Sequence, residues 1–156
     1  SQAALFEDDE ARRAILDLIL EDPDRALEES FEALAARSQS SVPTIMRTCR
    51  DLGFAQRLAD RVRAEPRLEL MTEPELSIVC FRYVPAGEQS DADLDRMNTE
   101  VQRRLRRDTP YAPSSTRVAG RFVIRPCYIN PRTTEADVDG LADAVLAIGA
   151  DLSSDG

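Results

Sequence analysis

Ser41 to Leu70 reads SVPTIMRTCRDLGFAQRLADRVRAEPRLEL, and this stretch decides the fold. Ser41 is a natural helix N-cap, and Pro43 lies in the first turn, where its missing N–H costs nothing. Ile45, Met46, Cys49 and Leu52 form the apolar stripe of a helix, with Gly53 as its expected left-handed cap. AQRLADRVRAE resumes as helix at once, with Leu58 and Val62 four apart, and Pro66 ends it. RLELM then reads as a short strand. Helical sequence gives way to sheet sequence without a flexible linker, so two units packed together are expected, meeting near Gly53 to Ala55.

Upstream, DDEARRAILDLILEDPDR places Ala11, Ala14, Ile15, Leu18 and Ile19 at helical spacing. Asp8 or Asp9 caps this helix and Asp22-Pro23 stops it. DRALEE reads as a short turn. Ser30 opens a second helix with Phe31, Leu34 and Ala35 on one face, and RSQSS is a polar turn. Downstream, LSIVCFRYV (Leu76 to Val84) is a strong, central-looking strand. A helix opened by Asp91 or Asp93 carries Leu94, Met97, Val101 and Leu105 inward. STRVAGRFVIRPCYI reads as two strands turning at Ala119-Gly120, with Pro126 marking an edge strand or a bulge. Thr133 or Thr134 caps a last helix whose stripe is Val138, Leu141, Ala142, Val145 and Leu146. The expected fold class is α+β: a helix-turn-helix unit over 1–54, a small antiparallel sheet covered by helices over 55–152, and a frayed tail at 153–156.

The 156 residues are 42% hydrophobic, enough for a core and too apolar for a disordered chain. No apolar run reaches membrane-spanning length, and SQAALFEDDEARR lacks a signal pattern. A chain starting without Met is expected to be processed or cut. Cys49, Cys80 and Cys127 lack metal-ligand spacing and lie in apolar segments, which predicts buried free thiols in a cytoplasmic protein. The net charge of −9 disfavours nonspecific nucleic-acid or membrane binding. Yet Leu34 to Arg63 carries six arginines against Asp51 and Asp60, a local basic stretch between acidic flanks.

Two absences narrow the chemistry. The chain has no His, and all 20 of its basic residues are Arg. Ser-His and Cys-His catalysis, histidine metal sites and a lysine Schiff base are therefore excluded within these residues. No catalytic residue, metal or cofactor is expected, and the chain is read as a non-enzyme.

Ser30 to Phe54 has helix-turn-helix form. In such a unit, polar residues at the start of the second helix reach base edges, and nearby Arg side chains hold phosphate or guanine. Ser41, Thr44, Arg47 and Thr48 are expected on the face away from Ile45, Cys49 and Leu52. Arg50 and Arg57 are expected at the DNA backbone. A plain helical packing unit with solvated arginines is the competing reading. Over Glu10 to Phe54, ILDLILEDPDRALEESFEALAARS followed by SVPTIMRTCRDLGF resembles the N-terminal domain of the RpiR family of sugar-phosphate-responsive regulators. That resemblance makes Ser41 to Leu52 the recognition helix and double-stranded DNA the partner. The chain departs from the family in its turn, where Gln39 and Ser40 stand for a Gly and a small apolar residue, and in lacking the sugar-isomerase-like domain that normally follows.

From Ala55 to about Leu152, LADRVRAEPRLELMTEPELSIVCFRYVP, MNTEVQRRLRR and STRVAGRFVIRPCYINPRTTEADVDGL resemble the C-terminal small domain of group II pyridoxal-phosphate decarboxylases. The resemblance implies a dimerising α+β unit. It also places Arg125 where some members reach the substrate carboxylate, a task that suits the guanidinium fork. With no lysine, a covalent pyridoxal complex cannot form here, and Arg125 is expected instead to be a strand residue that pairs with a carboxylate. RRLRR, Arg103 to Arg107, reads as a solvated helix end and SDADLDR as helix-start charge.

Three readings of the junction stay open: a DNA-binding protein whose α+β unit dimerises it or senses a ligand, an orphan decarboxylase-derived partner domain, and a recombinant or designed chimera. Apolar surface that would face a cofactor domain needs cover, so a homodimer is expected, which light scattering would test.

Overall fold

In a computed structural model, which describes residues 2–75, 77–128, 130 and 132–154, the chain forms two units, Ser1–Gly53 and Phe54–Gly156. The N-terminal unit is helical: α1 (Gln2–Glu21), α2 (Pro23–Glu28), α3 (Phe31–Ser38) and the first half of α4 (Val42–Ala64). Asp22 both ends α1 and caps α2, its carboxylate accepting the Arg25 N–H at 3.1 Å with Pro23 in the first turn. DRALEE is therefore helix rather than turn: the stop signal was also a start. Helix α1 likewise begins at Gln2, earlier than Asp8 or Asp9. Ser30 caps α3, and Gln39 closes it with φ of 54°. The core of this unit is Ile15, Leu34, Ala35 and Ile45, with Leu18, Ile19 and Val42 packed on it.

Helix α4 runs through Gly53 without a cap, for 23 residues. The continuation follows from Phe54, Ala55, Leu58 and Val62, whose burial outweighs the roughly 1 kcal/mol helix penalty of one glycine. The stripe also differs from expectation. Ile45 is buried, but Met46 is 55% exposed, Cys49 is exposed and Leu52 is half-buried, because Thr48 and Asp51 take the inner positions at three-residue steps from Ile45. Phe31 is also half-exposed.

The C-terminal unit holds a four-stranded antiparallel sheet, ordered β1 (Leu68–Leu70), β2 (Phe81–Tyr83), β4 (Arg121–Arg125) and β3 (Ser114–Val118). β2 is central, as expected, but regular only over three residues; Leu76 lies outside the described residues. Pro126 ends the regular ladder, leaving an isolated bridge between Ile78 and Cys127. β4 is nonetheless interior and β3 is the edge. The β3–β4 hairpin turns at Ala119 and Gly120, φ of 51° and 78°, the two-residue turn that suits twisted strands.

Helices α5 (Asp91–Asp108) and α6 (Glu135–Ser154) pack on each other and on the sheet. Ser90, not Asp91 or Asp93, caps α5 and receives the Asp93 N–H. Thr134 and Asp137 cap α6 reciprocally, at 2.9 and 3.2 Å. α6 extends through Ser153 and Ser154, which return hydroxyl bonds to Gly149 and Ala150. A methyl group at Gly149 would stand 2.5 Å from the Tyr83 ring, so the helix can approach the sheet only with glycine there. Phe81, Tyr83, Val101, Leu105, Ile124, Val138 and Val145 fill the core.

Ion pairs at the surface make this unit acid-sensitive. The Asp95 carboxylate accepts the Phe122 N–H at 2.8 Å and faces Arg117 at 3.0 Å, which holds its pKa below the usual range. Arg57 lowers Asp139 in the same way, and Arg103 with Arg104 draws Glu100 down to about 2. All three are depressed in the folded state, so the unfolded chain binds more protons. Their stabilisation is complete above the ordinary carboxylate range of about 4 and is lost as pH falls below it, through about 2 for Glu100. Asp95→Asn is expected to be less stable than the parent at neutral pH, with the difference shrinking in thermal melts as acid protonates the Asp95 carboxylate of the parent. A gap that persists unchanged in acid would contradict this.

Candidate functional sites

At the start of α4, Ser41 Oγ accepts the Thr44 N–H at 3.3 Å and lies 2.9 Å from Thr44 Oγ1, to which Arg47 Nη2 donates at 3.3 Å. Ser41 and Arg47 are exposed and Thr44 is half-buried. One connected polar chain thus occupies the first turn and a half of the helix, where backbone N–H groups and the helix dipole favour an anion.

The other expected contacts are placed differently. Thr48 is 2% exposed and its hydroxyl donates to the Thr44 carbonyl at 2.8 Å, so it faces inward. Arg50 is half-buried, with Nη2 3.4 Å from Asp51 Oδ1. The second Asp51 oxygen meets Arg12 Nη2 at 2.8 Å, and both residues are buried. Arg12, Asp51 and Arg50 therefore tie α1 to α4, and Arg50 has a structural task there. Arg57 lies in the C-terminal unit and grips Asp139 with two bonds of 2.9 and 2.8 Å, with Glu135 at 3.4 Å. The Asp139 hydrogen bond raises its pKa above the ordinary value. Arg57, expected at the DNA backbone, is thus engaged in a bidentate pair with a carboxylate of α6.

In the C-terminal unit a cleft of about 480 Å³ is lined by Tyr111, Ser114, Arg125, Tyr128, Arg132 and Asp137, among others. The pairing of Ser114 with Arg125 brings the Arg125 Nε to 3.3 Å from Ser114 Oγ. Among the described residues Arg125 is thus held by a hydroxyl rather than by the carboxylate expected from sequence. Tyr128 is 7% exposed, and among the described residues its hydroxyl has no hydrogen-bond partner. Burial pushes this phenol upward, and the Asp137 and Asp139 charges add to the shift. A neutral, unpaired buried hydroxyl is a ready donor to a ligand. The sequence reading did not single out Tyr128, Arg12 or Asp51; only tertiary contacts give them roles.

RRLRR is a paired helix end: Arg103 and Arg104 meet Glu100, Arg104 also reaches Asp151, and Arg107 meets Asp108. Among the described residues no acidic, His or Cys cluster is built to hold a metal, and no helix is long and apolar enough to cross a membrane. Cys80 is buried as expected, whereas Cys49 and Cys127 are exposed thiols.

Comparison with known proteins matches both halves. The model of the helix-turn-helix domain of the rpiR family fits residues 2–55. An aromatic-L-amino-acid decarboxylase of Bacillus atrophaeus is 29% identical over 85 residues, covering 54% of this chain and 18% of that protein. Tryptophan decarboxylase 1 of Oryza sativa subsp. japonica is 32% identical over 78 residues, covering 48% of this chain and 15% of that protein. Among solved structures, the Oryza sativa TDC with PLP and tryptamine superposes with a TM-score of 0.67 at 23% identity, over 76% of this chain and 26% of that one. The glutamate decarboxylase domain of a Vibrio parahaemolyticus enzyme gives 0.63 at 20% identity, over 76% and 25%. Both resemblances drawn from the sequence are shown, and the decarboxylase likeness lies in the C-terminal part. The chain spans less than a fifth of the length of these curated relatives.

Proposed function

We propose that this chain is a non-enzymatic, DNA-binding protein that reads duplex DNA with the start of α4. The carrying observation is the Ser41–Thr44–Arg47 chain at a capped helix start, with Ser41 and Arg47 exposed. The rpiR-type match over the same residues supports it. Thr44 and Ser41 orient Arg47, whose fork suits the guanine edge. A homodimer of such units would read a palindrome, each copy taking one half-site. Selection from a random duplex pool at low salt, followed by gel shift, tests this. A palindrome should be enriched, and Arg47→Ala should bind it roughly tenfold or more weakly. Parent and variant binding alike would remove Arg47 from the interface; no enrichment by the folded protein would sink the reading.

The C-terminal unit, in this proposal, senses a small carboxylate at the cleft between Arg125 and Tyr128. Arg125 and Tyr128 line one cleft, which supports it. Calorimetric titration with benzoate should show binding that Arg125→Ala abolishes; equal heats from both proteins would count against the site. The alternative is a catalytically inert piece, natural or chimeric, related to the decarboxylases. The small share of the relatives' length that the chain covers favours it. Absence of both duplex binding and pyridoxal absorbance would select that alternative.

A further inference from the structure

The N-terminal unit carries an apolar groove on a side of α4 that the proposed reading residues do not occupy. It measures about 560 Å³ and is lined by Ile19, Pro23, Phe31, Leu34 and Cys49, with Glu29 at its wall. Phe31 is 50% exposed. The other large apolar side chains left exposed among the described residues are Leu20 and Met46, 66% and 55%. Leu20 adjoins Ile19, and Met46 lies three residues before Cys49, on the same side of α4. A groove of this volume with an exposed aromatic wall is of binding-site size.

Charge selects the occupant. Glu29 is neutralised by Arg25 at 2.7 Å and Arg37 at 3.1 Å. The segment that forms the groove also presents exposed carboxylates at Asp17, Glu21, Asp22, Asp24, Glu28 and Glu32. Two of these flank Pro23, and Glu32 follows Phe31. An apolar slot set in so acidic a segment repels nucleic acid and anionic lipid. A second copy docked face to face would set the same carboxylates against each other. We infer that this groove docks a basic amphipathic helix of a partner protein. Its apolar stripe fills the slot over Phe31 and Leu34, and its Lys and Arg side chains are drawn by the carboxylates of that segment.

The probe is an 18-residue peptide of leucine and lysine at helical spacing, titrated into the full chain by calorimetry. A scrambled peptide of the same composition is the control for charge alone. The patterned peptide should bind about tenfold or more tightly than the scrambled one. Phe31→Ser, and separately Glu21→Lys with Glu28→Lys, should each weaken it roughly tenfold. Phe31 is half-exposed and both carboxylates lie in the last turn of a helix, where Lys is favoured, so these variants keep the fold. Bound peptide should slow alkylation of Cys49 and leave Cys127, an exposed thiol of the other unit, unaffected. Labelling is run at alkaline pH, because partial burial raises the Cys49 thiol. Equal binding of both peptides, unprotected Cys49, or a dimer that Phe31→Ser converts to monomer would each overturn the proposal. None of these readouts depends on DNA binding.

Discussion

Asn98→Leu is expected to destabilise the C-terminal unit by about 4 kcal/mol, from two buried peptide groups left without partners. Asn98 is fully buried on α5. Its Oδ1 accepts the Tyr83 N–H at 2.7 Å, and its Nδ2 donates to the carbonyls of Tyr83 and Leu94, both at 2.9 Å. Tyr83 is the last residue of β2, beyond the Phe81–Ile124 pair that joins β2 to β4. The amide side chain therefore does for Tyr83 what a neighbouring strand does elsewhere in the sheet. Leucine keeps the branching and the number of heavy atoms, so the loss is dominated by the hydrogen bonds. Urea unfolding followed by circular dichroism measures it. A loss below about 1 kcal/mol would mean that water reaches the Tyr83 peptide in the variant.

The second large effect concerns the N-terminal unit. Asp51→Ala should cost about 3 to 5 kcal/mol, because it strands Arg12 as a buried, unpaired cation. Asp51 and Arg12 are 2% and 8% exposed and 2.8 Å apart. The core of this unit is small, so a loss of this size should open it. Amide hydrogen exchange in α1 and α3 should rise by roughly a hundredfold or more. Replacing both partners with apolar residues, Arg12→Met with Asp51→Leu, should restore most of the protection, since neither charge is then left alone. Equal loss in the single and double variants would show that packing, not charge, dominates there. Duplex binding should fall together with the protection in Asp51→Ala, because the pair fixes the helix that carries Arg47.

The expected elements are largely the observed ones, and the misses share a cause. Ser41, Ser30 and Thr134 act as caps because capping is local chemistry, readable from a few adjacent residues. Gly53 and Asp22-Pro23 were misread because each local signal is ambiguous. A glycine can end a helix or ride inside one, and Asp-Pro can end one helix while starting the next. The inward turn of Thr48 and the Asp139 pairing of Arg57 were not legible because residue type says what a side chain can bind, not what already binds it.

The sequence by itself determined the class: a helix-turn-helix-like segment joined to a small antiparallel sheet covered by helices. Periodicity, caps and turn residues are short-range, and the absence of Lys and His bounds the chemistry without any coordinates. Only the tertiary structure decided which polar groups are committed and which remain available. Asn98 to Tyr83, Asp51 to Arg12 and Asp139 to Arg57 are partners separated by 15, 39 and 82 residues, and no local pattern encodes such pairings. It also left the Tyr128 hydroxyl without a partner among the described residues, and left Phe31 and Met46 exposed. Burial is a property of the packed chain: a side chain's surroundings are set by residues distant in sequence that reach it only when the chain folds.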